Sequence, residues 1–197
     1  LAIDYRLSPE HLFPAPIEDA LAAWRWLLDR GHAPQRIALA GDSAGGGLAL
    51  SLMLSAREAG LPLPCAAVLM SPWTDMTASG ASYDTNASSD PLHQRAMILG
   101  MAKGYVGKSG DLRDLRASPL FADLAGLPPL LIQCGAPEVL VDDARALAER
   151  AREKGVAAQL DLYADMIHVF QTYAELPEAA RALERAGAFL ARRWNAA

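Results

Sequence analysis

The sequence predicts an α/β protein with a mostly parallel β-sheet and helices on both of its faces. Short apolar segments alternate along the chain with longer segments whose apolar residues recur at helical spacing. The middle apolar segments, such as Pro64–Met70 and Pro129–Cys134, carry almost no polar residue, which is typical of strands buried on both sides. Because reactive groups in such sheets gather at the carboxyl ends of the strands, functional residues are expected directly after the strands.

The predicted elements follow from local signals. Apolar runs that end in turn residues predict the strands Leu1–Tyr5, Arg36–Ala40, Pro64–Met70, Pro129–Cys134 and Val156–Tyr163. Helical spacing and terminal glycines predict the helices Ile17–Arg30, Ala44–Gly60, Asp142–Lys154 and Leu176–Trp194. Asp90-Pro91 resembles an N-cap with proline in the first helical position, and it predicts a helix running toward Tyr105.

Composition excludes several classes of protein. The 197 residues fit one domain, and 18 basic against 23 acidic residues give a net charge of -5 without a basic run, so no nucleic-acid partner is expected. Cys65 and Cys134 lie in apolar segments and are predicted to be buried free thiols. No apolar stretch is long enough for a membrane span and no leader precedes the first strand, so a cytoplasmic location is predicted.

A G-x-S-x-G pattern, Gly41-Asp42-Ser43-Ala44-Gly45, lies between a predicted strand and a predicted helix. This context is that of a nucleophile elbow, in which a tight turn presents the serine hydroxyl at the sheet edge. The turn requires glycines two positions on either side of Ser43, where a Cβ would clash. The Ala44 N–H at the helix start is a candidate oxyanion donor, and Asp42 is a candidate substrate contact.

An acid and a histidine follow the last two predicted strands. His168 lies just after the strand that ends at Tyr163, and Glu138 precedes it by 30 residues. The order Ser43, acid, His168 is the one expected for a serine hydrolase of this fold. Asp142, whose simpler role is to cap its own helix, and Asp165, which is close to His168 along the chain, are the alternative acids. The other histidines are interpreted as lacking a catalytic role, and they are His11, His32 and His93.

Four motifs carry a resemblance to a known family. They are Asp4–His11 with Phe13–Ala15, Gly41–Gly46, Ser71–Asp75 and His168–Phe170. In this order the chain resembles the hormone-sensitive-lipase family of α/β-hydrolase esterases. The resemblance implies the α/β-hydrolase fold, hydrolysis of carboxylic esters with short-to-medium acyl chains, and no metal or cofactor. It also implies that Ser43, Glu138 and His168 form the catalytic triad.

One family motif has no match here. The His-Gly-Gly-Gly oxyanion loop has no counterpart, and the family strand that carries it lies between the strands matched by Leu1–Tyr5 and Arg36–Ala40. By resemblance, residues 1–197 are therefore expected to be one α/β-hydrolase catalytic domain that lacks its N-terminal part, including the oxyanion loop and most of the cap.

Two other functions compete with a serine esterase that works through an acyl-enzyme. A non-catalytic receptor on the same fold, like the plant gibberellin receptors, is disfavoured because such receptors replace the histidine that is present here as His168. A peptidase or amidase is disfavoured because no subsites for a peptide chain are visible. A homodimer paired through the strand Val156–Tyr163 is left open.

Overall fold

The computed structural model describes residues 1–194, and a four-stranded sheet forms its centre. The strands are β1 (Ala38–Asp42), β2 (Ala66–Met70), β3 (Leu130–Gly135) and β4 (Ala158–Tyr163), hydrogen-bonded in that order. Every neighbouring pair is parallel, so the carboxyl ends of all four strands lie at one edge. The predicted α/β class with a parallel sheet is confirmed.

Helices cover both faces of this sheet. Leu130 and Ile132 of β3 pack into a core with α2 and α5, whereas Leu131 between them packs with Phe189 of α6. This alternation follows from the two-residue repeat of a strand. The helices are α1 (Ala15–Asp29), α2 (Ala44–Glu58), α3 (Ser82–Thr85), α4 (Arg95–Val106), α5 (Val141–Glu153) and α6 (Pro177–Trp194).

The predicted strand Leu1–Tyr5 is wrong for the described chain. These residues form no strand, because nothing pairs with their backbone groups. A groove of about 540 Å³ lies between them and β1, and it is lined by Leu1, Ile3 and Tyr5 on one side and by Ala38 and Ala40 on the other. The outer edge of β1 therefore faces a groove and has no neighbouring strand among residues 1–194.

The helix predicted from Asp90 begins only at Arg95. The Asp90 carboxylate makes the expected local contacts, but it accepts hydrogen bonds from the Leu92 and His93 N–H groups within a turn, at 2.8 and 3.0 Å. Its other oxygen accepts the N–H of Val139 at 2.8 Å. The carboxylate thus fixes a loop against the chain that follows β3 and does not start a helix.

Both cysteines are free thiols. Cys134 is buried as predicted, but Cys65 is partly exposed because it precedes the first residue of β2. Burial raises the pKa of both thiols. None of the helices in residues 1–194 combines the length and the apolar character that a membrane span needs.

Candidate active site

Ser43 occupies the sharp turn between β1 and α2. Its backbone has φ 49° and ψ −119°, a conformation that non-glycine residues rarely adopt. The surrounding chain holds it there, since the Ser43 N–H donates to the Met70 carbonyl at 2.9 Å and its own carbonyl accepts the N–H groups of Gly46 and Trp73 at 3.1 and 2.9 Å. The turn is therefore anchored to the end of β2, and the strain is a built feature of the fold.

Close packing explains three glycines at this turn and the start of α2, but Gly45 of the motif is not one of them. A Cβ on Gly41 would lie 2.2 Å from the Gly45 carbonyl oxygen, which forbids any side chain there. A Cβ on Gly45 would meet nothing within 4 Å, so the predicted clash at this position is wrong. The other crowded positions are Gly46, where a Cβ would lie 2.9 Å from the Cβ of Pro72, and Gly47, where it would lie 2.2 Å from the Trp73 carbonyl oxygen. The difference arises because Gly45 faces outward, whereas Gly46 packs against the loop after β2.

Ala44 and Asp42 flank Ser43, and both are exposed. Ala44 is the first residue of α2, and none of the hydrogen bonds described for residues 1–194 uses its N–H. A free N–H at a helix start is suited to binding a developing negative charge. Asp42 is the last residue of β1, and its carboxylate makes no hydrogen bond in the described part of the chain.

Glu138 and His168 lie together at the same sheet edge. Glu138 Oε2 is 2.7 Å from His168 Nδ1, and the two side chains are only 0% and 7% exposed. The other carboxylate oxygen, Oε1, accepts the hydroxyl of Ser71 at 2.7 Å and the N–H of Gly135 at 2.5 Å. These donors compensate the burial of a negative charge and fix the carboxylate against the imidazole.

The alternative acids lie elsewhere. Asp142 accepts the N–H of Ser82 at 2.9 Å and pairs with Arg145 at 3.1 Å. The expected capping of its own helix is wrong, because the carboxylate is turned toward the loop that contains α3. Asp165 is exposed and makes no side-chain hydrogen bond among the described residues. Of the three acids weighed from the sequence, the structure brings only Glu138 to His168.

Ser43 and His168 are not hydrogen-bonded to each other: within residues 1–194 no hydrogen bond joins the Ser43 hydroxyl to the imidazole. Such contacts often tighten only when substrate binds. Ser43, Glu138 and His168 all lie at the carboxyl edge of the sheet, and Glu138 and His168 are hydrogen-bonded to each other.

His93, which sequence reasoning set aside, lies against the imidazole of His168. The two ring centroids are 4.5 Å apart and the planes are inclined by 77°. Burial and the nearby His168 lower the pKa of His93, and its Nδ1 is buried without a hydrogen-bond partner in residues 1–194. In the sequence, Asp90-Pro91 indicates only a local turn or helix start near His93. Nothing in the sequence indicates that this turn packs against His168.

A buried carboxylate supports the loop that follows β2. Asp143 accepts the N–H groups of Thr74 and Asp75, both at 2.9 Å, and the hydroxyl of Tyr83 at 3.0 Å. Burial nevertheless raises the pKa of Asp143 to about 7, and the nearby Asp75 acts in the same direction. Asp143 thus ties α5 to the loop between β2 and α3, away from the catalytic candidates.

An apolar cavity of about 380 Å³ opens beside the start of α2. Its walls come from the chain before α1, from α2, from the loop after β2 and from α4. Among its lining residues are Leu7, Ala44, Gly47, Trp73, Met76 and Tyr105. Within residues 1–194, no three His, Cys, Asp or Glu side chains are grouped so that they could hold a metal ion.

Comparison with known proteins agrees with this architecture. The model of an alpha/beta hydrolase fold family matches residues 1–172. The parallel sheet and the strand–turn–helix at Ser43 are what that fold requires. The chain is an α/β hydrolase.

Individual relatives identify the branch. A solved esterase from the bacterial hormone-sensitive lipase family shares 51% identity with a TM-score of 0.95, covering 97% of this chain and 64% of that one. The crystal structure of EstE5 soaked with p-nitrophenyl butyrate shares 48% identity with a TM-score of 0.93, covering 98% and 65%. An acetyl-hydrolase of Streptomyces hygroscopicus is 49% identical over 191 residues, which are 96% of this chain and 64% of that protein. The chain belongs to the hormone-sensitive-lipase family, and it spans less than two thirds of the length of these relatives.

Proposed function

We propose that the full-length protein is a serine carboxylesterase that hydrolyses short-to-medium acyl esters through an acyl-enzyme. The observation that carries this proposal is the buried hydrogen bond between Glu138 and His168, on the same sheet edge as the strained Ser43. The relatives named esterase and acetyl-hydrolase support the same class of reaction.

Each residue has a distinct part in the proposed mechanism. The Ser43 hydroxyl attacks the ester carbonyl while His168 Nε2 accepts its proton, and the imidazolium then donates that proton to the leaving alcohol. Glu138 accepts the hydrogen bond from Nδ1, which fixes the tautomer and stabilises the cation. The Ala44 N–H stabilises the oxyanion, and Asp42 borders the substrate. Water activated by His168 then attacks the acyl-enzyme and releases the acid.

The apolar cavity beside Ala44 supports an acyl-binding role, and the names of the relatives support a short acyl chain. The cavity walls are largely apolar, and about 380 Å³ accommodates a short hydrocarbon chain. The Streptomyces relative is named for acetyl groups, and the EstE5 crystal was soaked with a butyrate ester. We expect acetate and butyrate esters to be preferred over long-chain esters.

The groove beside β1 supports the proposal that another part of a longer protein completes the sheet. One wall is the unpaired edge of β1, and the other is the extended chain at Leu1–Tyr5. An added strand would satisfy the backbone groups on both walls, and it would approach Ser43 closely enough to deliver further oxyanion donors. Strand β4 likewise has no second neighbouring strand among residues 1–194, which supports a homodimer paired through that strand. The cytoplasmic location stays a prediction.

Hydrolysis of p-nitrophenyl esters by the full-length protein tests the proposal. We expect turnover that is fastest with acetate or butyrate and labelling of Ser43 alone by a serine-directed phosphonate, with Ser43→Ala as the matched control. Tight ester binding without turnover would indicate a receptor, and cleavage of anilides or peptides in preference to esters would indicate an amidase. Either result would overturn the assignment as an esterase.

A further inference from the structure

Ser71 is held in an unusual conformation at the end of β2. It is fully buried and has φ 44°, in the left-handed region that a residue with a Cβ disfavours. Its N–H donates to the Gln133 carbonyl at 2.6 Å, so the backbone is fixed to β3. The sequence identifies Ser71-Pro72 only as the end of a strand, and glycine would fit this backbone more easily.

The Ser71 hydroxyl connects two separate loops. It donates to Glu138 Oε1 at 2.7 Å and accepts the N–H of Val169 at 3.1 Å. Glu138 lies on the turn after β3, whereas Val169 directly follows His168 in the loop after β4. Val169 also has a positive φ of 52°, so two residues in a strained conformation meet at this hydroxyl. Strained conformations of this kind persist only where the surrounding structure holds them in place, and they cluster at functional sites.

We propose that Ser71 is a positioning residue, whose hydroxyl holds the Glu138 carboxylate and the His168 loop in the relative orientation that the triad needs. This inference rests on the proposed esterase function. Ser71 is fully buried, and its hydroxyl acts on Glu138, Val169 and the neighbouring Cys134 thiol, so it has no direct role toward the substrate.

Removal of the hydroxyl has two physical consequences. The Val169 N–H loses its acceptor, and Glu138 Oε1 retains only the N–H of Gly135. The loop that carries His168 is then held less firmly, and the carboxylate, which has lost one of the donors that stabilised its charge, binds the imidazolium of His168 more strongly. Turnover falls because the imidazole is less well oriented, and the acidic limb of kcat/KM against pH moves to higher pH.

The titratable groups around the pair are few. The ring of His93 packs against His168, with the carboxylate of Asp90 near it, and the buried Cys134 thiol lies near Glu138. The Ser71 hydroxyl also lowers the pKa of the Cys134 thiol, but burial raises that pKa well above its usual value, so the thiol stays protonated across the acidic limb. A shift of the acidic limb therefore reports on the bonds of the hydroxyl to Glu138 and Val169.

Ser71→Gly removes the CH2OH side chain at a position where glycine accepts the left-handed backbone, so relief of backbone strain offsets part of the cost of the lost hydrogen bonds. The matched control is Ala78→Gly, at a buried residue in the same loop with φ 49° and no described hydrogen bond to Glu138 or His168. In the full-length protein we expect Ala78→Gly to keep or raise the unfolding temperature and Ser71→Gly to lower it by a few degrees at most, with the protein fully folded at the assay temperature. Ser71→Gly alone should lower kcat by about tenfold or more with KM unchanged, from the loss of a hydrogen bond to a charged group. Its acidic limb should also move to higher pH.

A second measurement does not depend on turnover. The Nδ1–H proton of His168 gives a downfield NMR signal while it is bonded to Glu138, and we expect that signal to shift or broaden in Ser71→Gly but not in Ala78→Gly. Unchanged kcat, pH profile and NMR signal in Ser71→Gly would overturn the positioning role. A fall in unfolding temperature that accounts for the lost activity would also overturn it. Absence of turnover and phosphonate labelling in the unmodified protein would instead refute the esterase function, while the NMR comparison would still decide the role of Ser71.

Discussion

The two ends of the sheet differ in how completely the described chain builds them. At the β3–β4 end, Glu138 and His168 are buried, directly bonded and supported by further donors from Ser71 and Gly135. At the β1 end, the residues on either side of Ser43 are exposed, and a groove of about 540 Å³ replaces a neighbouring strand. The Glu138–His168 pair is thus held in place by residues of the described chain, whereas the side of Ser43 that is proposed to bind the oxyanion is open.

The largest effect is expected at the open end, from Ser43→Ala. The substitution removes the proposed nucleophile, so ester hydrolysis by the full-length protein should fall by about 10⁴-fold or more. A methyl group in place of a partly exposed hydroxyl changes packing little, so the unfolding temperature should stay the same. Assays with p-nitrophenyl butyrate and a thermal melt check both points, and a variant that keeps substantial activity would exclude Ser43 as the nucleophile.

The next largest effect is expected at the β3–β4 end of the sheet, from Glu138→Gln. The amide retains the shape but favours the wrong tautomer of His168, and kcat should fall by about 10³–10⁴-fold. The matched control is Asp142→Asn, which changes a carboxylate four residues later that contacts Ser82 and Arg145. We expect this control to cost on the order of 1 kcal/mol of stability or less and little activity. A larger loss of kcat in Asp142→Asn than in Glu138→Gln would reverse the assignment of the acid.

Comparison of residues 1–197 with the full-length protein tests the open end directly. If the groove beside β1 is filled by a strand that carries oxyanion donors, the shorter chain should lose at least about 10²–10³ in rate, the cost of one missing donor. It should also unfold with poor cooperativity, because the backbone groups of β1 are unpaired on one side. Full activity with a cooperative transition in residues 1–197 would show that the groove needs no additional strand.

Much of this contrast could be predicted from the sequence. Four of the five expected strands, the helices that separate them and the position of Ser43 in a strand–turn–helix depend on local patterns, and the structure contains them. The choice of Glu138 over Asp142 depended on the family resemblance, on the 30 residues between Glu138 and His168 and on the position of Glu138 after a strand. The structure brings Glu138 to the imidazole. Local patterns succeed here because a parallel sheet fixes where its carboxyl ends meet.

The remaining features depend on contacts between distant residues. The strand expected at Leu1–Tyr5 needs a partner before it can form, and no local pattern supplies that information. His93 reaches His168 only because Asp90 bonds to Val139, a contact across 49 residues. The left-handed backbone of Ser71 could not be predicted from the sequence either, because serine rarely adopts that conformation. The position of Gly46 against Pro72, and not Gly45, is likewise set by packing between loops.

The last expected effect concerns stability and leaves the proposed chemistry untouched, and it comes from the buried Asp143. Its pKa of about 7 in the folded protein lies above the value of about 3.9 for an unfolded aspartate, so the folded state binds this proton more tightly. The stabilisation is complete below about pH 4 and is lost as the pH rises through 7, by at most about 1.4 kcal/mol per pH unit. Asp143→Asn has no such proton. The unfolding temperature of this variant, relative to that of the unmodified protein, should therefore rise as the pH is increased from 4 to 8.

Tyr83→Phe sharpens the same test in the opposite direction. The Tyr83 hydroxyl donates to the Asp143 carboxylate at 3.0 Å, and its removal should raise the pKa of Asp143 further. The fall in stability should then extend to higher pH than in the unmodified protein. Thermal melts of the unmodified protein, Asp143→Asn and Tyr83→Phe across this pH range measure how the stability of each depends on pH. Parallel curves would mean that Asp143 is ionised throughout, with its bonds to Thr74 and Asp75 outweighing the cost of burial.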